Sequence, residues 1–123
     1  MKTILVVDDF ATARLYHANI LKSLGHAAGT ASDGEEAIEA WREHGPEIDL
    51  VLTDIVMPGK VSGRALARRL REEAPGVRIA LMTGYDPEVL AQKLADQDRD
   101  LPHIQKPFTI EGLADFVKKV LDR

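Results

Sequence analysis

The stretch ILVVDDF, residues 4–10, runs four aliphatic residues directly into two adjacent aspartates. An aliphatic run this short reads as a buried strand, and buried parallel strands occur in sheets covered by helices. The same motif of aliphatic run and polar end recurs along the chain. TILVV (3–7), DLVLT (49–53) and VRIALMT (77–83) read as strands, and HAAGTA (26–31) and HIQ (103–105) complete an alternation with helical segments near 12–24, 34–44, 63–74, 87–97 and 110–122. In the last of these, Ile110, Leu113, Ala114, Val117, Val120 and Leu121 share one helical face, with Thr109 placed to cap it. Asp86-Pro87-Glu88 is a second helix start, and Gly25 and Gly45 are expected helix stops. The pattern predicts a doubly wound (βα)5 domain around a parallel five-stranded sheet.

Composition bounds the chemistry. The chain has 123 residues, 45% hydrophobic and 29% charged, which suits one soluble domain. A net charge of −4 provides no bulk basic field for nucleic acid or an anionic membrane. The absence of cysteine excludes disulfides, thiol catalysis and cysteine-ligated metal centres. No apolar run reaches the roughly 20 residues of a membrane span, and the first residues lack a signal-peptide pattern. A cytoplasmic location is expected.

In an open parallel sheet, ligands bind beyond the carboxyl ends of the strands. Asp8 and Asp9 follow the first strand, Asp54 the third and Lys106 the fifth, while Thr83 ends the fourth. Three converging carboxylates repel one another unless a hard cation sits among them, and Mg2+ suits oxygen ligands with several waters retained. A lysine and a hydroxyl beside them add donors for anionic oxygens, which together make a phosphoryl-transfer site. Singly, each of these residues has an ordinary reading: an aspartate after a strand is commonly a helix cap, and a single lysine is solvated surface. It is their combination that points to chemistry.

VVDDF, LVLTDIVMPG, ALMTG and IQKPF resemble, in order and approximate spacing, the signature segments of the receiver domain of two-component response regulators. The resemblance covers the whole chain. VVDDFATAR is similar to the chemotaxis response regulator, whereas TDIVMPGKVSGRALA is closer to receivers attached to hybrid histidine kinases. It implies a single receiver domain over residues 1–123, with no effector domain in this chain and the flavodoxin-like strand order 2-1-3-4-5. Asp54 would be the phosphoacceptor, taking its phosphoryl group from a histidine kinase or histidine phosphotransfer protein. Asp9 would bind Mg2+ directly, Asp8 through a water, and the backbone carbonyl of Val56 would add a ligand beside Asp54. Lys106 and Thr83 would contact phosphoryl oxygens, and the Lys106–Pro107 bond would be cis. The domain would assist its own phosphorylation and autodephosphorylation without being an enzyme. It would signal through the surface of the fourth helix, fifth strand and fifth helix to an output partner or fused effector, with no direct contact to nucleic acid or membrane.

Three features depart from the family pattern. PGKVSG (58–63) is one residue longer than the loop of the chemotaxis type and lacks the aspartate that often precedes its glycine. His103 stands three before Lys106, where the family commonly carries a rotating Tyr or Phe, and Ile104 beside it should face the other side of the strand. A degenerate receiver acting only in docking is disfavoured by the complete acid, Thr and Lys set. An aspartyl phosphatase of the haloacid dehalogenase type needs D-x-D after the first strand, and a flavodoxin needs a phosphate-cradling loop there, whereas this chain has DDF. DQDRD (96–100) has Leu101 and Pro107 where a calcium loop needs glycine and glutamate. Arg64, Arg68, Arg69 and Arg71 adjoin Glu72 and Glu73 and read as a solvated face. His17, His26 and His44 read as surface or helix-end residues, and Trp41 as core.

Overall fold

A computed structural model describes residues 2–56, 61–93 and 101–122. Five parallel strands, β1 (Thr3–Val7), β2 (Ala27–Ala31), β3 (Leu50–Asp54), β4 (Ile79–Thr83) and β5 (His103–Gln105), lie in the order β2-β1-β3-β4-β5. Their connections carry α1 (Ala11–Ser23), α2 (Gly34–His44), α3 (Gly63–Glu73) and α4 (Pro87–Lys93), and α5 (Ile110–Leu121) follows β5. This is the doubly wound topology that the alternation predicts, in the flavodoxin-like order that the family resemblance implies.

Alternate residues of each strand face opposite layers. Leu5, Val7, Val51, Ile79 and Leu81 pack with Ile38 of α2 and Leu66 and Leu70 of α3. Ile4, Val6, Leu50, Leu52, Ala80 and Met82 pack with Leu21 of α1 and Leu113 and Val117 of α5. Burying each such aliphatic side chain contributes roughly 1.5–3 kcal/mol, so the two layers together drive the fold. Thr109 caps α5 by accepting from the Gly112 N–H at 2.9 Å, and Asp86 accepts from the Val89 N–H at 2.9 Å at the start of α4. Gly25 ends α1 at φ +94°, a conformation that favours glycine.

Several boundaries differ from those expected. β3 begins at Leu50 and runs through Asp54; just before it, Asp49 accepts from the Thr3 N–H on its carboxylate at 2.8 Å and donates its own N–H to the Thr3 carbonyl at 2.8 Å. β4 starts at Ile79, since the Val77 N–H closes a turn onto the Ala74 carbonyl after α3. Gly45 ends α2 as expected, as the residue after His44, but at φ −47° and ψ −47° it does so by carrying the chain into a 3-10 turn over Gly45–Glu47, not by a left-handed turn. The predicted continuation of the fourth helix to residue 97 and the DQDRD segment at 96–100 lie outside the described residues, as do residues 57–60 of the long loop. Among the described residues, no helix is long and apolar enough to cross a membrane.

Candidate functional site

Strand parity decides which side chains meet at the carboxyl edge of the sheet. Asp8 is in phase with Ile4 and Val6, Asp54 with Leu50 and Leu52, and Lys106 with Ile104, so all three belong to the α1/α5 side. Lys106 Nζ lies 3.0 Å from Asp54 Oδ2 and 3.2 Å from Asp8 Oδ2, clamping the two acids together. Asp9 joins them: ligand oxygens of Asp8, Asp9 and Asp54 all lie within 4.8 Å of one another. Asp8 is fully buried, Asp54 half-buried and Asp9 exposed.

Backbone contacts fix this cluster. The Phe10 N–H donates to Asp8 Oδ1 at 2.9 Å, and Arg14 donates to the Asp8 carbonyl at 2.8 Å, tying the β1 end to the first turns of α1. Gly63 opens α3 against the end of β3, its N–H donating to the Ile55 carbonyl at 2.9 Å. A Cβ at this position would collide with the Asp54 backbone carbonyl, so the close approach requires glycine. The Lys106 N–H donates to the Thr83 carbonyl at 2.6 Å, and the Lys106–Pro107 bond is cis as expected.

Thr83 is buried at the end of β4 on the opposite parity, and its Oγ1 accepts from the Tyr85 N–H at 3.0 Å. Val56 lies two residues beyond Asp54 with its side chain exposed, and His103 is exposed on β5, while Ile104 packs into the α1/α5 layer as expected.

Burial pushes the Asp54 carboxyl up to about 7; the Lys106 ammonium pulls it down and the Asp8 carboxylate pushes it up. At Asp8, burial also pushes upward but is outweighed by the Phe10 N–H, Asp54 and Lys106, which hold it below the ordinary value. The two acids therefore act on each other, and burial together with the Asp8 charge favours the neutral form of the Asp54 carboxyl. Burial pulls the Lys106 pKa down, but its two carboxylate partners prevail and raise it. Such a pair, with Asp9 beside it, is what a hard divalent cation relieves, so the donor set fits Mg2+.

One sequence expectation fails here. His17 is not a surface residue but is buried, stacked against Phe108 with ring centroids 4.9 Å apart. The spacing of Arg14, His17, Ala18 and Leu21 would have placed it on the inward stripe. His26, half-buried, stands just past the end of α1, and His44, exposed, is the last residue of α2, both as helix-end residues. Trp41 packs partly buried against the α2/α3 layer, lining a groove of about 650 Å3 with Pro46, Asp49 and Val77 at the opposite end of the sheet from the acids. Arg68 and Arg69 are exposed, and Arg64 and Arg71 half-buried.

Fold and site together define a doubly wound α/β module with a lysine-clamped acid cluster at its topological switch point. The chain belongs to the response regulator receiver domain family, whose model matches residues 4–118. It is 34% identical to the sensor kinase CckA of Brucella abortus over 98% of this chain, although it spans only 13% of that protein. It is 33% identical to the response regulator receiver protein CpdR of the same organism, covering 98% of both chains. Among solved structures, the response regulator TrrA of Thermotoga maritima in complex with Mg(2+)-BeF superimposes with a TM-score of 0.80 at 34% identity, covering 98% of this chain and 99% of that one. The protein is thus a receiver domain of two-component signalling.

Proposed function

We propose that this receiver takes a phosphoryl group from a phosphohistidine donor onto Asp54, with Mg2+ held by the acid cluster, and that the modification switches the α4–β5–α5 surface. The observation that carries this reading is the convergence of three carboxylates within 4.8 Å around a lysine bonded to two of them. TrrA, whose structure contains Mg(2+)-BeF, supports the choice of ion.

Asp8, Asp9, Asp54 and the Val56 carbonyl would hold the cation, with Asp9 direct and Asp8 through water. Bound Mg2+ would supply the positive charge that keeps Asp54 ionised and offsets repulsion between the acids and an incoming phosphate. An Asp54 oxygen then attacks phosphorus as the phosphorus–nitrogen bond to the donor imidazole breaks; the nitrogen keeps that electron pair, and a donor ring protonated on its other nitrogen leaves as neutral imidazole. Lys106, now beside Asp54, turns to a phosphoryl oxygen. Thr83 at present uses a lone pair towards Tyr85 and keeps its O–H proton for another. Moving Thr83 and Lys106 inward shifts β4 and β5, and His103 on β5 would follow from its exposed position. The receiver assists its own phosphorylation and autodephosphorylation and passes the change to an output partner or fused effector.

The test is Mg2+-dependent labelling by a small phosphodonor, read by intact mass. Wild type should gain one phosphoryl group and Asp54→Ala none. If wild type gains nothing, or Asp54→Ala gains as much, the reading fails.

A further inference from the structure

His17 is a buried polar group for which the chemistry above has no use. It is 8% exposed, and its Nδ1 has no hydrogen-bond partner among the described residues. Buried polar side-chain atoms are almost always bonded, so an orphan calls for an explanation. The ring is fixed by Phe108 at a 36° tilt and by Tyr16 meeting it edge-on with centroids 5.8 Å apart. Held this way, Nδ1 stands 4.0 Å from Asp8 Oδ2, about 1 Å beyond hydrogen-bonding distance. The same oxygen already receives Lys106 Nζ at 3.2 Å. Two donors from different elements thus converge on one oxygen, with only the lysine engaged.

We propose that His17 is a positioning residue for Asp8, donating Nδ1–H to Asp8 Oδ2 when Lys106 turns towards a phosphoryl group on Asp54. The proposal rests on the phosphoacceptor reading of Asp54. Once the lysine leaves, a fully buried carboxylate oxygen loses its donor, while the other oxygen stays fixed by the Phe10 N–H. A displacement of about 1 Å by the imidazole replaces it. Asp8 is then kept oriented towards the metal by an outer donor, and such donors commonly contribute tenfold or more to metal affinity. Burial lowers the His17 pKa, with the Lys106 charge acting the same way and Asp8 opposing, so the neutral ring has one N–H to place and Asp8 favours it on Nδ1. A leucine would fill the same space against Phe108 and offer Asp8 nothing.

Two variants of the full chain separate donation from packing. His17→Leu keeps apolar bulk without an N–H, and His17→Asn places an amide N–H near the position of Nδ1. Calorimetry with Mg2+ and beryllofluoride should show about tenfold weaker binding for His17→Leu, with most of the loss recovered in His17→Asn. Imidazole 15N shifts of the wild type should show Nδ1 protonated in the beryllofluoride complex. Unchanged affinity in His17→Leu, no recovery in His17→Asn, or an unprotonated Nδ1 in the complex would each overturn the proposal. A wild type that binds neither Mg2+ nor beryllofluoride would overturn the phosphoacceptor reading instead. The tautomer of the metal-free protein then decides the contact alone: protonated Nδ1 supports it and unprotonated Nδ1 ends it.

Discussion

Replacing Asp54 with asparagine should stabilise the metal-free protein at pH 8 by roughly two to three times as much as at pH 5. A carboxyl raised from 3.8 to about 7 on folding binds more protons in the folded state than in the unfolded state between those values. Its contribution to stability is therefore complete below the unfolded pKa and is lost as pH rises through the folded one. The full shift corresponds to about 4 kcal/mol. Asp54 interacts with Asp8 and keeps 13% of its side chain exposed, so about 2 kcal/mol is the expected gain for Asp54→Asn at pH 8, or about 8 °C in Tm. The amide still accepts from Lys106, so packing is preserved. His17, whose pKa burial lowers, favours folding more as pH rises, but it does so in both proteins. The readout is accordingly the difference between wild type and variant in urea unfolding at pH 5 and pH 8, without metal. Saturating Mg2+ should then stabilise wild type more than the variant, because it binds the ionised cluster. Equal stabilities of the two proteins at pH 8, or the same difference at both pH values, would refute the coupled-acid account.

Asp9→Ala should lower Mg2+ affinity by at least about tenfold and abolish labelling of an intact Asp54, measured by calorimetry or amide NMR because Trp41 sits at the far end of the sheet. Unchanged affinity would remove Asp9 from the ligand set. Val56→Asn with Tyr85→Glu should shorten the phosphorylated lifetime roughly tenfold, about 1.4 kcal/mol of barrier, because polar groups there can hold the hydrolytic water that Val56 cannot. Decay of the phosphorylated mass peak checks this, and equal or slower loss would refute it. His103 imidazole shifts should change when beryllofluoride binds, and identical spectra would exclude it as the moving aromatic. Gly63→Ala should cost about 2 kcal/mol or more in urea unfolding, since its Cβ meets the Asp54 carbonyl; a neutral effect would mean that the β3–α3 junction yields easily.

The topology was legible because each strand is a compact aliphatic run and each helix a periodic one, so the alternation leaves few arrangements of the sheet. The site was legible for a related reason: acids and lysine stand at the ends of those runs, and period two puts Asp8, Asp54 and Lys106 on one side. Boundaries were less so. Asp49 looked like the first residue of β3, but its carboxylate serves the Thr3 N–H across the sheet, a partner 46 residues away. His17 was misread because the apolar signal of α1 is inverted at several positions. Leu15 is 57% and Tyr16 53% exposed, and Phe10 just before the helix is 66% exposed, so hydrophobicity alone does not mark the inward side. Only the spacing from Ala18 and Leu21 does.

The distribution of burial also separates what holds the charge from what answers to it. Asp8 and Asp54 each follow four residues that are completely or almost completely buried between two helical layers, so their backbone positions are firmly anchored. β5 is three residues long at the edge of the sheet, with His103 and Gln105 exposed, and it pairs on one side only, with β4. Segments with few buried contacts open and shift at the lowest free-energy cost. Lys106 follows that marginal strand and yet bonds to both fixed acids. On the proposed reading, a change of charge on Asp54 would reach this marginal strand through Lys106 before it moved the buried ends of β1 and β3.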